Sequence, residues 1–179
     1  MKILLRAGLV ALPLLAACDL SEPVWNADFF FPLDFPDIEL SAYAVGGVIP
    51  NIDVPFTTPV ASQDITGLPE TMLGDDLNAL AAEVITTTTL DVTGTIEVAI
   101  ARDPAGLFLP GQSAIITIPV AEGTDTTAVT VDPEIVRNAI ALYYQVRGTV
   151  RGAPGGTTVG PADEVDINVN LLVNFQVTR

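Results

Sequence analysis

Residues 164–178, EVDINVNLLVNFQVT, decide the fold of this chain. Apolar residues occupy every second position from Val165 to Val177, and polar residues occupy nearly all of the positions between them. This period of two is typical of a β-strand with one buried and one solvated face. Leu172 is the only apolar residue in the polar set. The thirteen residues from Val165 to Val177 reach about 43 Å when extended, which predicts a bend or bulge within the strand.

The same alternation recurs earlier in the chain, at residues 90–100, 116–120, 129–131 and 142–151. Prolines interrupt residues 37–66, which restricts them to edge strands or loops. Strands joined by short turns, each with one solvated face, predict a mainly β fold. We expect residues 27–179 to form a single antiparallel β-sandwich, immunoglobulin-like or similar; a half-open barrel is the alternative.

Two short helices are predicted within the sheet pattern. The first begins at Asp75 or Asp76, and its apolar side is formed by Leu77, Leu80, Ala81 and Val84. The second covers residues 132–140, because Asp-Pro-Glu supplies a cap, a proline at the first helical position and an acid in the first turn.

Two glycines stand on apolar strand faces, at Gly94 and Gly148. Glycine weakens a strand unless something bulky needs the space. A helix or an aromatic side chain, such as that of Trp25, is therefore expected to pack over one of them.

The amino terminus has the features of a secretory signal. Lys2 and Arg6 precede an apolar run that is too short to span a bilayer of about 30 Å. The run ends in Leu15-Ala16-Ala17-Cys18, which resembles the lipobox of bacterial lipoproteins. The resemblance covers eighteen residues, and it implies that residues 1–17 are removed and that Cys18 carries the acyl chains.

An ordinary signal peptide that happens to precede a cysteine is the alternative interpretation. Cys18 is the only cysteine of the chain and has no disulfide partner, which favours lipidation. Residues 18–26 would then be a lipidated tether, and the lipid on Cys18 would hold the protein to a membrane of the bacterial cell envelope. The sequence leaves open whether this is the periplasmic face of the inner or outer membrane, or the cell surface.

Composition excludes several classes of function. The 179 residues include 7 basic and 22 acidic residues and no histidine. Removal of residues 1–17 leaves five arginines against the 22 acids, a formal charge of −17. Such a body is unsuited to nucleic acid, and without histidine it cannot build a Ser-His-Asp triad or an imidazole metal site. No cofactor and no metal site are predicted.

Aromatic residues are concentrated near the expected tether. The cluster consists of Trp25, Phe29, Phe30, Phe31 and Phe35. The ordinary interpretation is a first strand and an anchor buried in the core. The functional alternative is an exposed patch for a partner or for the membrane interface.

Candidate chemical motifs are weak. Asp64-Ile65-Thr66-Gly67 and Asp91-Val92-Thr93-Gly94 contain one residue too many for the Asp-Thr-Gly of aspartic proteases. Carboxylates and amides recur on one face of residues 164–170, but a straight row cannot surround a Ca²⁺ ion.

We therefore expect a non-catalytic, membrane-anchored envelope module with a structural or protein-interaction role and an envelope protein as its partner. A carrier of a lipid or other apolar ligand between the sheets is the alternative. A hydrolase that uses two carboxylates is a minor one.

Overall fold

The computed structural model of the protein describes residues 25–65, 74 and 77–177. The predicted signal, Cys18, most of the tether, and both candidate caps at Asp75 and Asp76 lie outside these residues. The described residues form twelve strands: β1 (Trp25–Leu33), β2 (Ile38–Glu39), β3 (Val48–Ile49), β4 (Val54–Thr57), β5 (Ala61–Asp64), β6 (Leu77–Thr88), β7 (Val92–Ala101), β8 (Ser113–Val120), β9 (Gly123–Val131), β10 (Ala141–Gly152), β11 (Thr157–Thr158) and β12 (Glu164–Val177).

The strands form two five-stranded antiparallel sheets. Sheet I has the order β1-β12-β6-β9, and β2 pairs with β12 beyond the end of β1. Sheet II has the order β4-β10-β7-β8, and β5 pairs with β10 beyond the end of β4. The short strands β3 and β11 form a separate pair. In each sheet a long strand, β12 or β10, thus pairs along one side with two successive segments of the chain.

The inward faces of the two sheets share one continuous hydrophobic cluster. The odd-numbered apolar residues of β12 from Val165 to Phe175 are all buried, as the alternation predicts. Their counterparts in sheet II include Ile96, Val98 and Ile118, each fully buried. The prediction of a mainly β, antiparallel sandwich is therefore confirmed.

The pairing of β12 is irregular near its end, but the bulge lies in the partner strand β6 and not, as predicted, in β12 itself. Asn174 pairs with Ala79 and Phe175 with Leu77, so Asn78 is an extra residue in β6. A bulge of this kind increases the local twist and lets a long strand follow the curvature of the sandwich.

The first predicted helix is wrong, because residues 77–88 form strand β6. The bulge at Asn78 separates the buried Leu77 and Leu80 by three positions, and burial then alternates regularly through Thr88. An irregular strand therefore produced the spacing of a helix. The three β-branched threonines at its end favour the extended conformation.

The second predicted helix is also wrong beyond its first turn. The Asp132 carboxylate accepts a hydrogen bond from the Glu134 N–H at 3.0 Å, so the predicted cap is present. It caps only a 3-10 turn, Pro133–Ile135, and Asn138 adopts a positive φ of 57° that ends the helical path. None of the helical turns among the described residues is long or apolar enough to cross a membrane.

The two strand glycines lie where the β7 and β10 backbones approach closely. A Cβ at Gly94 would lie 2.0 Å from the Thr149 carbonyl oxygen, and one at Gly148 would lie 2.2 Å from the Thr95 oxygen. Neighbouring main chain, not a helix or an aromatic ring, therefore explains the need for glycine. The Trp25 side chain lies outside the described part of the structure.

Candidate functional site

The aromatic cluster divides between the two faces of β1. Phe31 packs half-buried against the core, and Phe35 is buried with its ring centroid 4.3 Å from that of Tyr144. Phe29 is 40% exposed and contacts Phe175 edge to face at 5.5 Å. Phe30 points to the outer face of sheet I and is 67% exposed.

The structure therefore does not bring Phe29, Phe30, Phe31 and Phe35 together as one exposed patch. Phe31 and Phe35 have the position expected of a core anchor, whereas Phe30 has the position expected of a surface contact. The backbone of Trp25 begins β1 by pairing with Val177, seven residues after Cys18. The predicted tether thus leads into an edge strand of sheet I.

A shallow apolar groove surrounds Phe30 on the outer face of sheet I. Strand pairing places Phe30 beside Leu172, Leu172 beside Ala81, and Ala81 beside Thr130. The groove has a volume of about 350 Å³, and Ala79 and Phe29 extend its apolar lining. It is large enough for one or two side chains of a partner.

One feature of the sequence marks the position of this groove. Leu172 breaks the polar series of β12, and it is this residue that forms the centre of the groove. The alanines of β6 could not have been placed there, since their segment was predicted as a helix.

Hydrogen-bonded amides border the groove at both ends. The Asn174 amide donates to Asp28 at 2.7 Å, and the Asn78 amide donates to the Asn174 oxygen at 2.9 Å. At the other end Asn170 donates to Glu83 at 3.2 Å. An apolar centre with a satisfied polar border is the usual anatomy of a protein-binding site.

Acidic residues gather farther along the same sheet, near β2. Burial raises the pKa of Asp37, and a hydrogen bond with Asp166 together with the charges of Glu164, Asp166 and Asp34 raises it further. Within the described ranges, no group of three or more acidic, histidine or cysteine side chains is arranged to hold a metal ion. The carboxylates of this corner therefore repel one another.

The outer face of sheet II is partly covered by the chain itself. The β7–β8 loop, residues 102–112, places Leu107 over Ala99 and Ala101, and both alanines are fully buried although they point away from the core. Asp103 holds the start of this loop by accepting a hydrogen bond from the Ala105 N–H at 2.9 Å. The two sheets thus present different outer surfaces.

The aspartates of the two Asp-x-Thr-Gly motifs lie at the ends of strands. Asp64 ends β5 and Ile65 is buried, whereas Thr66 and Gly67 lie outside the described residues. Asp91 precedes β7, and its carbonyl oxygen accepts a hydrogen bond from the Thr157 hydroxyl at 2.5 Å.

No protein family and no curated protein matches the chain. Solved structures with a weak similarity include a carbohydrate-binding module in complex with β-1,4-galactotriose, at 9% identity over 89% of this chain and 90% of that chain, with a TM-score of 0.30. Turnip yellow mosaic virus (13% identity, 100% and 91% coverage, TM-score 0.35) and desmodium yellow mottle tymovirus (7%, 99% and 96%, 0.33) are further examples. At these TM-scores the similarity carries no information about ligands or activity.

Proposed function

We propose that this protein is a non-catalytic, lipid-anchored module of the bacterial cell envelope that binds a protein partner through the outer face of sheet I. The Leu15-Ala16-Ala17-Cys18 motif supports the anchor, because it resembles a lipobox. Two or more acyl chains would make membrane residence stable. The body would then extend from the membrane at the start of β1.

The groove around Phe30 and Leu172 is the observation that carries the binding role. It exposes a large aromatic side chain beside Leu172, the one apolar residue in the outward series of β12, and the amides at its border are held by hydrogen bonds. Exposed apolar patches with polar borders mark interaction surfaces. The carboxylates of Asp28 and Glu83 at this border favour a partner with neutral or basic residues around its contact.

The packing of the interior weighs against the carrier alternative. The inward face of β12 from Val165 to Phe175 is buried in the continuous core. The described cavities lie outside that core: the groove on sheet I, a groove on sheet II and a polar pocket of about 150 Å³ beside Gln112 and Glu134. An apolar ligand between the sheets would have to displace packed side chains.

Site-specific crosslinking tests the binding surface. A photoreactive amino acid at position 30 should capture one envelope protein, whereas the same probe at Ile52, which is 64% exposed on another surface, should not. Leu172→Ser in the probe-bearing chain should reduce the adduct at least fivefold, because it removes the apolar centre of the groove. Equal capture from both positions, or an adduct insensitive to Leu172→Ser, would contradict the proposed surface.

Fractionation tests the anchor separately. Cys18→Ser should move the protein from the membrane to the soluble fraction, and mass spectrometry of the native chain should find acyl groups on an amino-terminal Cys18. An unmodified terminus would contradict the anchor and would leave the crosslinking result to be judged by itself.

A further inference from the structure

The outer face of sheet II contains a second groove, in which charged and hydroxyl side chains lie beside an apolar proline ring. It has a volume of about 380 Å³ and lies across strands β4, β10 and β7. Strand pairing arranges its side chains in two rows of three. One row is Thr57, Arg147 and Glu97, and the other is Pro55, Thr149 and Thr95.

Arg147 is held in a fixed orientation at the centre of the first row. Its Nε donates to Glu97 at 2.6 Å, and its guanidinium carbon lies 4.0 Å from the centre of the Phe108 ring. Phe108 has a positive φ of 59°, a strained conformation for an aromatic residue. The covering loop thus uses a strained residue to place a ring against Arg147.

The terminal nitrogens of Arg147 remain available for a ligand. Among the described residues, none accepts a hydrogen bond from its Nη groups, and its side chain is 46% exposed. The Glu97 side chain, 35% exposed, engages Arg147 through one carboxylate oxygen, Oε2. The groove therefore offers oriented donors and an acceptor side by side, with three threonine hydroxyls nearby.

Charge restricts the class of ligand. An anion would meet the Glu97 carboxylate and the field of a chain with a formal charge of −15, whereas a cation would meet the Arg147 guanidinium. A neutral ligand with neighbouring hydroxyls is compatible with both charged side chains. Each hydroxyl can accept a hydrogen bond from an Arg147 Nη group and donate one to Glu97 or a threonine. The Pro55 ring adds an apolar surface for the C–H face of a sugar.

We propose that this groove binds a neutral oligosaccharide of two or three sugar units, with Arg147 and Glu97 as the principal hydrogen-bonding groups. The volume is within the range of small-ligand sites. The site is on the opposite sheet from the groove around Phe30, so the proposal does not depend on the protein-partner surface.

The test uses the mature protein, an array of neutral oligosaccharides, and NMR titrations with maltotriose, cellotriose, chitotriose and the acidic trigalacturonate. At least one neutral sugar should bind and shift the amide signals of Thr57, Thr95 and Arg147. Arg147→Lys keeps the charge but loses the planar fork, and it should weaken that binding about tenfold. Thr95→Val, an isosteric change on the strand, should weaken it by a smaller factor.

Arg151 provides a matched control on the same strand and face. It pairs through Nε with Asp53 at 2.9 Å and is also 46% exposed, but it is not part of the groove. Arg151→Lys should change sugar affinity less than about twofold. The proposal is overturned if no neutral sugar binds, if only trigalacturonate binds, if the shifts map to Phe30, or if the two arginine variants behave alike.

Discussion

The two sheets satisfy the acidic residues of their outer faces in different ways. On sheet I, Asp28 and Glu83 accept hydrogen bonds from asparagine amides. On sheet II, Glu97 and Asp53 form ion pairs with Arg147 and Arg151. In both sheets a long strand pairs along one side with two successive segments, so the difference does not come from the topology.

The comparison separates what holds the fold from what distinguishes its surfaces. Alternating apolar residues build equivalent inner faces. The outer faces differ because a loop folds back over sheet II and brings Phe108 to Arg147, whereas no described segment covers the groove of sheet I.

The largest loss of stability should follow from substitutions on the inner faces, where the two sheets are alike. Leu171→Ala in sheet I and Ile118→Ala in sheet II should each lower the free energy of unfolding by about 2–5 kcal/mol, because both side chains are buried in the shared core. Leu172→Ala, one residue away on the outer face, should cost about 1 kcal/mol or less. Chemical denaturation of the three variants measures the difference, and an equal cost for Leu171 and Leu172 would contradict the assignment of faces.

A second large effect should be confined to sheet II. Gly148→Ala would bring a Cβ to 2.2 Å from the Thr95 oxygen, so the paired strands would have to separate. We expect a loss of about 1–3 kcal/mol in the free energy of unfolding. Thr149→Ala at the next position is the control and should cost much less. A neutral Gly148→Ala would show that β7 and β10 are not so closely apposed.

Much of this architecture could be predicted from the sequence, because the alternation of apolar and polar residues indicates which face of each strand is buried. The alternation of residues 164–178 indicated the inner face of β12 correctly, and the prolines indicated the broken edges. The bulge at Asn78 could not be foreseen, since it depends on the partner strand. It gave β6 the spacing of a helix.

The surface grooves were predictable only in part, because they are made by neighbours distant in sequence. Phe30 was included in the aromatic cluster, but its position beside Leu172, and that of Leu172 beside Ala81, depend on the order of the strands. The groove with Arg147 requires in addition that the 102–112 loop turn back over its own sheet. The alternation of apolar and polar residues does not indicate that a loop folds back over its own sheet.

Substitution in the covering loop of sheet II should cause a smaller loss of stability, which should depend on which outer face is changed. Leu107→Ala should lower the free energy of unfolding by about 1–2 kcal/mol, because Leu107 packs on Ala99 and Ala101. Phe30→Ala on the exposed face of sheet I should change it by about 0.5 kcal/mol or less. Hydrogen exchange should also become faster in the loop of the Leu107 variant alone. Similar losses for both variants would show that sheet I is covered as well.

The smallest change in the free energy of unfolding should come from the acidic corner of sheet I, where a substitution should stabilise the protein instead of destabilising it. Because burial and nearby acids raise the pKa of Asp37 above its ordinary value of 3.8, the folded state holds this proton more tightly than the unfolded state does. Its contribution to stability therefore falls as the pH rises from below 3.8 through the folded-state pKa, and the repulsion is complete at neutral pH. Asp37→Asn should raise stability at pH 7 by at most about 0.5 kcal/mol, since the site is exposed and screened. The gain should shrink in high salt and below pH 4.

Asp53→Asn on sheet II is the control, because Asp53 faces Arg151 and its loss should leave stability unchanged or lower it. Thermal unfolding of both variants at neutral and acidic pH measures the two signs. Opposite signs would follow from carboxylates that are crowded on one sheet and paired with arginine on the other. Stabilisation by both substitutions would instead indicate that the overall formal charge of −15, which acts on every acid alike, outweighs the local partners.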